Sequence, residues 1–338
     1  MTESVNTVII GGGVLGCASA ISTQKRLRKA NGNNDDSVCL VEKTVISSGI
    51  SARHSGIVRS ANAVARAAKL AKSATDYWKN LVSMIKSDKD HIKISVVGKY
   101  VDLHDAYISV KEALIHAGIK YSRNIEIKWV DSENIEEDGP EKYLNDSAGV
   151  VVPGGFGYRG VEGMISAVEY CRINDVPYLG LCLGMQVMVI EAARSLLDKK
   201  SANSTEFVQD TPDPVIHIME DQKNITDKGG TMRLGGYPCD LVNGTIASRA
   251  YGSSKNTIME RHRHRFEFNN LYREDLMSVG LKPSGISPDG TLVEIVEYSN
   301  NEFMLGTQFH PEFLSRPTEP HPIFSEFVSA IVNKSQKL

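Results

Sequence analysis

The 338-residue sequence has no apolar run near the roughly 18 residues that a membrane-spanning helix needs. Its N-terminus also lacks the basic, apolar, then small-residue order of a secretory signal. No membrane partner and a cytoplasmic location are therefore expected. Cysteine is scarce: Cys17, Cys39, Cys171, Cys182 and Cys239 are odd in number, widely spread and contain no C-x-x-C pair. Neither a disulfide framework nor a structural zinc site is suggested, so a cysteine with a special role must have it through its own chemistry. Repeats and low-complexity tracts are missing, and the basic cluster RHRHR at residues 261–265 is too short to argue for nucleic acid. With 41% hydrophobic and 23% charged residues, disordered, collagen-like and coiled-coil classes drop out, and the length allows about two globular domains.

The net charge of −3 hides an asymmetry. Residues 1–90 carry 13 Lys+Arg against 7 Asp+Glu, whereas the remainder has an excess of nine negative charges. The shift falls on the charged stretch KSDKD at 86–90, before a new apolar run from Ile92 to Val97. A boundary there predicts two domains, 1–90 and 93–333. In the second, short β-branched runs (93–98, 125–130, 149–152, 178–181) alternate with helical periods (105–117, closed by Gly118, and 161–171). That alternation predicts an α/β fold with a mostly parallel sheet flanked by helices, whose active site lies at the carboxyl ends of its strands.

At one such end, the apolar strand through Leu181 runs into Gly180-x-Cys182-x-Gly184 and then a helical stretch, 185–194. This is the cysteine form of a nucleophile elbow. The glycines permit a sharp turn, and a helix N-terminus favours thiolate over thiol. A second strand ends in the glycine-rich turn VPGGFG at 152–157, which can aim backbone N–H groups at a developing oxyanion. A third, 303–307, is followed by His310-Pro-Glu312, an imidazole and a carboxylate two residues apart. A base held by a carboxylate is what a cysteine nucleophile needs for proton transfer to its leaving group.

From these motifs outward, residues 93–333 resemble the class I glutamine amidotransferase domain of CTP synthase. The phrases that carry the resemblance are VGKYVDLHDAY (97–107), PGGFGYRGVEG (153–163), GLCLGMQ (180–186), NSTEF (203–207), GGTMRLG (229–235), ERHRHRFE (260–267) and FHPEF (309–313). The resemblance implies a catalytic triad of Cys182, His310 and Glu312. It places the oxyanion-hole N–H groups at Gly155 and Leu183 and glutamine-binding side chains at Gln186, Glu206 and Arg265. A zwitterionic amino acid needs a carboxylate for its ammonium and a guanidinium for its carboxylate, which agrees with that set. His262 and His264, interleaved with arginines, are expected to be structural rather than metal ligands. The implied activity is hydrolysis of L-glutamine without a cofactor, the ammonia serving to aminate UTP to CTP. The synthetase domain that binds ATP, UTP and Mg is absent from the sequence given and would act in trans, with GTP as activator.

In front of this segment, an apolar strand (5–10) precedes Gly11-Gly-Gly13-x-x-Gly16 and a helix, and a second strand (38–42) ends at Glu42. Glycines there permit a pyrophosphate to approach a helix N-terminus, and the acid accepts hydrogen bonds from a ribose. Together with SGISARHSG (48–56), the segment resembles the beginning of FAD-dependent amino-acid oxidoreductases, as far as about residue 90. It is expected to be an incomplete Rossmann-like βαβ segment, two strands and a long helix over 61–86, in which Gly11, Gly13, Gly16 and Glu42 would contact FAD. The alternative function is accordingly an FAD-dependent oxidoreductase fragment carrying a non-catalytic amidotransferase-like module.

Overall fold

Short β-branched runs set the strands in both parts of the chain. A computed structural model describes residues 7–10, 40–41, 56–59, 79, 82–83, 89–218, 232–252 and 254–337. The chain divides into two units, Met1–Asp88 and Lys89–Leu338. In the first, β1 (Thr7–Ile10) pairs in parallel with β2 (Leu40–Val41), Ile10 lying opposite Val41. A third strand not expected from the sequence, β3 (Gly56–Arg59), runs antiparallel along the other side of β1. Gly11, Gly13, Gly16, Glu42 and most of the helix expected over 61–86 lie outside the described residues.

In the second unit, β4 (His91–Gly98), α1 (Ile108–Lys120), β5 (Asn124–Asp131), α2 (Ser132–Asp138), β6 (Gly149–Val152), α3 (Val161–Ile173), β7 (Tyr178–Leu181) and α4 (Leu183–Leu196) form an alternating array. The chain continues through β8 (Asn203–Ser204), β9 (Pro214–Ile218), β10 (Arg233–Leu241), α5 (Ile246–Tyr251), β11 (Thr257–His264) and β12 (Phe266–Phe268). It closes with α6 (Arg273–Ser278), β13 (Leu281–Ile286), β14 (Val293–Tyr298), β15 (Met304–Thr307) and α7 (Pro322–Lys337).

Nine strands make one sheet in the order β11-β10-β13-β14-β15-β7-β6-β4-β5, and β12-β9-β8 make a smaller one. From β15 to β5 every pairing is parallel; from β11 to β15 every pairing is antiparallel. Strands β6 and β7 are buried at every residue, as continuous apolar runs must be when helices cover both faces. One core layer joins α3 and α4 to the sheet through Val168, Met188 and Ile190; the other joins α1 and α7 through Leu114, Phe324 and Phe327. Burying each large aliphatic or aromatic side chain of this kind stabilises the fold by about 1.5–3 kcal/mol.

Helix α1 departs from the sequence reading. A 3₁₀ turn occupies 104–107, and the α-helix passes through Gly118 to Lys120. Gly118 does not stop the helix because its role is clearance: a Cβ there would stand 2.6 Å from Ile125 Cγ1 and 2.8 Å from the Arg123 carbonyl.

Candidate active site

Strand β7 delivers Cys182 to the centre of the large sheet, and α4 starts at the next residue. Cys182 has φ 53° and ψ −97°, a region costly for a non-glycine residue and typical of a nucleophile held on a forced turn. Two glycines make that turn possible. A Cβ on Gly180 would lie 2.6 Å from the Gly184 carbonyl carbon, and one on Gly184 would lie 2.2 Å from the Val152 carbonyl oxygen. The backbone of the elbow is tied to the neighbouring strand by Cys182 N–H donating to Thr307 O at 2.7 Å. The N–H of Leu183 belongs to the first turn of α4, where no intrahelical acceptor exists.

Strand β15 brings in the other half. Beyond its end, His310 Nδ1 lies 2.7 Å from Glu312 Oε1, both residues being buried. His310 N–H donates to Arg261 O at 2.8 Å, and Phe313 stacks on the imidazole at 5.3 Å between centroids, so backbone and ring are both held. Nε2 is buried without a hydrogen-bond partner among the described residues. Burial disfavours the imidazolium, but the Cys182 sulfur and the Glu312 carboxylate outweigh it and raise the His310 pKa to about 10. Both neighbours thus favour the protonated imidazole.

The turn after β6 closes the site. A Cβ on Gly154 would stand 2.7 Å from His310 Cε1, so the glycine is what allows turn and imidazole to meet. Lys99, almost fully buried at the end of β4, donates from Nζ to the carbonyls of Phe156 (3.2 Å) and Gly157. Glu206 Oε1 accepts the Gly157 N–H at 2.9 Å. The turn is thus clamped through both of its hydrogen-bonding senses. Burial lowers the Lys99 pKa to about 8 against the opposing pull of Glu206, and burial likewise raises that of Glu206.

Two cavities meet at Cys182. The larger, about 640 Å³, is lined by Gly155, Cys182, Gln186, Glu206 and Arg265 among others. The smaller, about 240 Å³, is lined by Gly154, Gly155, Cys182, Arg263, His310 and Glu312, with the aromatic side chains of Tyr100, Tyr107, Phe156 and Phe313. Four of the five binding residues named from the sequence share the larger cavity, and the fifth, Leu183, follows Cys182 in the chain. Gln186 is not wholly free for a ligand, because its Nε2 donates to Phe266 O at 3.1 Å and to Gln308 Oε1 at 3.4 Å. Its Oε1 is the atom left for a substrate donor.

Sequence reasoning did not anticipate the Lys99 clamp or the charged cluster behind the site. Arg233 Nη1 lies 2.7 Å from Glu294 and 3.6 Å from Glu267, all three nearly inaccessible to solvent. His262 Nδ1 lies 2.9 Å from His264 Nε2. Burial together with nearby positive charge lowers the two histidine pKa values to about 2 and about 3; burial raises those of Glu267 and Glu294. Neutral imidazoles facing a guanidinium are a packing arrangement. No group of three His, Cys, Asp or Glu side chains suited to a metal occurs among the described residues. Among the same residues, no helix is long and apolar enough to cross a membrane.

Comparison with known proteins supplies the context for this geometry. The model of the family described as "Glutamine amidotransferase class-I" matches residues 102–330, and that described as "FAD dependent oxidoreductase" matches residues 6–172. The second match runs past residue 90, where the motif resemblance ends, into β4–α3 of the nine-stranded sheet. Over 253 residues the chain is 58% identical to a CTP synthase of Dehalococcoides mccartyi, covering 75% of this chain and 46% of that protein. It is 60% identical over 256 residues to the CTP synthase of Roseiflexus sp., with the same coverage. The chain therefore spans less than half the length of the curated relatives it matches. Among solved structures, the glutaminase domain of Trypanosoma brucei CTPS with bound acivicin is 39% identical, with a TM-score of 0.68, covering 72% of this chain and 94% of that one. With the family model matching two thirds of its length and a solved relative of this likeness, the chain belongs to the class I glutamine amidotransferases.

Proposed function

We propose that this chain hydrolyses L-glutamine to glutamate and ammonia through Cys182, His310 and Glu312. The observation that carries the reading is a cavity with a strained cysteine at its base and an acid and a guanidinium, Glu206 and Arg265, in its wall. Arg265 would take the substrate carboxylate and Glu206 its ammonium, using Oε2 while Oε1 keeps the Gly157 N–H. The side-chain amide carbon then faces the Cys182 sulfur. Attack by the thiolate forms a C–S bond and an oxyanion, which the N–H groups of Gly155 and Leu183 stabilise at roughly 3–4 kcal/mol per donor.

His310, protonated at rest, gives its proton to the departing nitrogen as the C–N bond breaks, leaving a thioester and a neutral imidazole. That imidazole takes a proton from water, whose oxygen attacks the thioester; collapse expels the Cys182 thiolate and releases glutamate. Glu312 holds Nδ1–H throughout, so that Nε2 is the atom that exchanges protons. No cofactor enters these steps.

We further propose that the ammonia aminates UTP to CTP in a synthetase domain carried by another chain, with ATP and Mg bound there and GTP as activator. Sequence identity near 58% to CTP synthases over the matched region supports this reading. The test is glutamate release by the purified full-length chain with and without GTP, beside Cys182→Ala. Cysteine-dependent release is expected, and unchanged release in Cys182→Ala would falsify the triad.

A second reading is favoured by the oxidoreductase match over 6–172: flavin binding by domain 1–90 through Gly11, Gly13, Gly16 and Glu42. The parallel pairing of Ile10 with Val41 sets the residues before Gly11 and before Glu42 side by side, the backbone arrangement a dinucleotide requires. Bound FAD would supply redox chemistry that glutamine hydrolysis does not use. Flavin absorbance in purified protein reconstituted with FAD tests it, and a protein that stays colourless refutes it.

A further inference from the structure

Gln308 is fully buried between β15 and His310, and none of the roles given above falls to it. Its Nε2 lies 3.7 Å from Cys182 Sγ, within hydrogen-bonding reach of sulfur. The direction of that bond is fixed from a distance. The Phe266 carbonyl can only accept, so it orients the Gln186 side chain with Nε2 toward it. The same Nε2 faces Gln308 Oε1 at 3.4 Å, which turns the Gln308 oxygen away from Cys182 and its NH₂ toward the sulfur. The backbone adds a second restraint: Gln308 N–H donates to Glu294 O at 2.8 Å, and Cys182 N–H donates to the preceding residue, Thr307. Donor and nucleophile thus sit on adjacent strands locked in register, Thr307 opposite Leu181.

We propose that Gln308 is a catalytic donor to the Cys182 sulfur, the last member of a relay running from the Phe266 carbonyl through Gln186. This rests on the reading of Cys182 as the nucleophile of a glutaminase. An N–H aimed at sulfur favours the thiolate over the thiol, because a charged acceptor gains more from the bond than a neutral one. Its effect is greatest where negative charge returns to sulfur, when the tetrahedral intermediate formed by water on the thioester breaks its C–S bond and expels the thiolate. It adds a fixed dipole without adding a proton that must be moved. The charged or titratable groups lining the cavities at the sulfur are Tyr100, Tyr107, His310, Glu312 and Arg263 on the side of the smaller cavity and Glu206, His264 and Arg265 on the other. Gln308 is a neutral group set among them, so its contribution is separable from theirs by substitution.

The experiment uses the full-length chain and reads the sulfur directly: the rate of Cys182 carboxamidomethylation by iodoacetamide against pH, followed by mass spectrometry of the peptide. Gln308→Met, which keeps the volume and removes the donor, is expected to move the midpoint of the profile up by about one pH unit, the worth of one hydrogen bond to a charged group. Gln308→Glu, which places a like charge against the sulfur, is expected to move it further in the same direction. In glutamine hydrolysis kcat should fall about tenfold in Gln308→Met, with KM within twofold of the parent. A midpoint unchanged in both variants, at an unchanged melting temperature, overturns the proposal.

Should either variant fold poorly, the wild-type chain answers the same question. The ¹⁵N side-chain NH₂ resonance of Gln308 should titrate with the alkylation midpoint and shift when Cys182 is alkylated; a resonance indifferent to both overturns the proposal. If hydrolysis proved independent of Cys182 altogether, the glutaminase reading would fail while the alkylation profile still reported on Gln308.

Discussion

Gly184→Ala tests how tightly the elbow sets the nucleophile. The new Cβ would stand 2.2 Å from the Val152 carbonyl oxygen, where 3.0 Å is the practical lower limit, so β6 and the first turn of α4 must separate by about 0.8 Å. Neither side can yield through a flexible side chain, because the obstructing atom is backbone of a buried strand. Overpacking of this kind destabilises by about 1–3 kcal/mol, or about 2–12 °C in melting temperature for a unit of this size. The displacement also carries Cys182 and the Leu183 N–H away from the Gly154–Gly155 turn, and a misplacement approaching 1 Å costs about 100-fold in rate. The assay is glutamate release under saturating glutamine, with melting measured on the same preparation. Gly244→Ala is the control: its φ of 78° is strained for alanine, but nothing lies within 4 Å of the new methyl. It should lose about 1 kcal/mol and no activity. A Gly184→Ala enzyme with kcat within threefold of the parent would refute the view that backbone contact between β6 and α4 sets the geometry.

Lys99→Met removes the clamp on the turn, and kcat is expected to fall about tenfold at pH 7. In the wild type, activity should step down as pH rises through about 8, where Lys99 loses its proton, and again near 10, where His310 loses the one it must donate; the pH–rate profile of Lys99→Met should lack the first step. Arg265→Lys replaces a bidentate donor by a point charge and should raise KM for glutamine by about 10-fold or more with kcat little changed, as read by steady-state kinetics. Arg172 holds the fully buried Glu191 carboxylate through Nε at 3.0 and 3.1 Å and Nη2 at 2.6 Å. Arg172→Met leaves that charge unpaired and should cost about 3–5 kcal/mol by denaturant unfolding, while the fraction that remains folded keeps its kcat.

The parts legible in the sequence were those whose signal is local. β6 and β7 were read with their observed bounds because a strand buried on both faces shows as a short apolar run, here with a glycine-containing turn within three residues of its end. Cys182 and His310 stood out because each follows such a run. The antiparallel half of the sheet did not show, and β11 explains why: its buried face is Ile258, Glu260, His262 and His264. Alternation there is real in space but hidden in hydropathy, since three of the four buried positions are polar side chains. Lys99 was visible only as a member of the phrase at 97–107, and Gln308, just before FHPEF, carried no signal of its own. Their partners lie 126 residues away for the sulfur and 57 for the Phe156 carbonyl, separations that only the folded sheet closes.

The meeting of two cavities at one sulfur has a consequence for traffic. In the proposed reaction a glutamyl group bonded to Cys182 would fill the larger room, while the smaller one, lined by His310 and four aromatic rings, also reaches Cys182. If the proposed chemistry holds, the smaller room is the space left beside the sulfur for ammonia and the incoming water, and a molecule lodged there would stall turnover while leaving the larger room to glutamine.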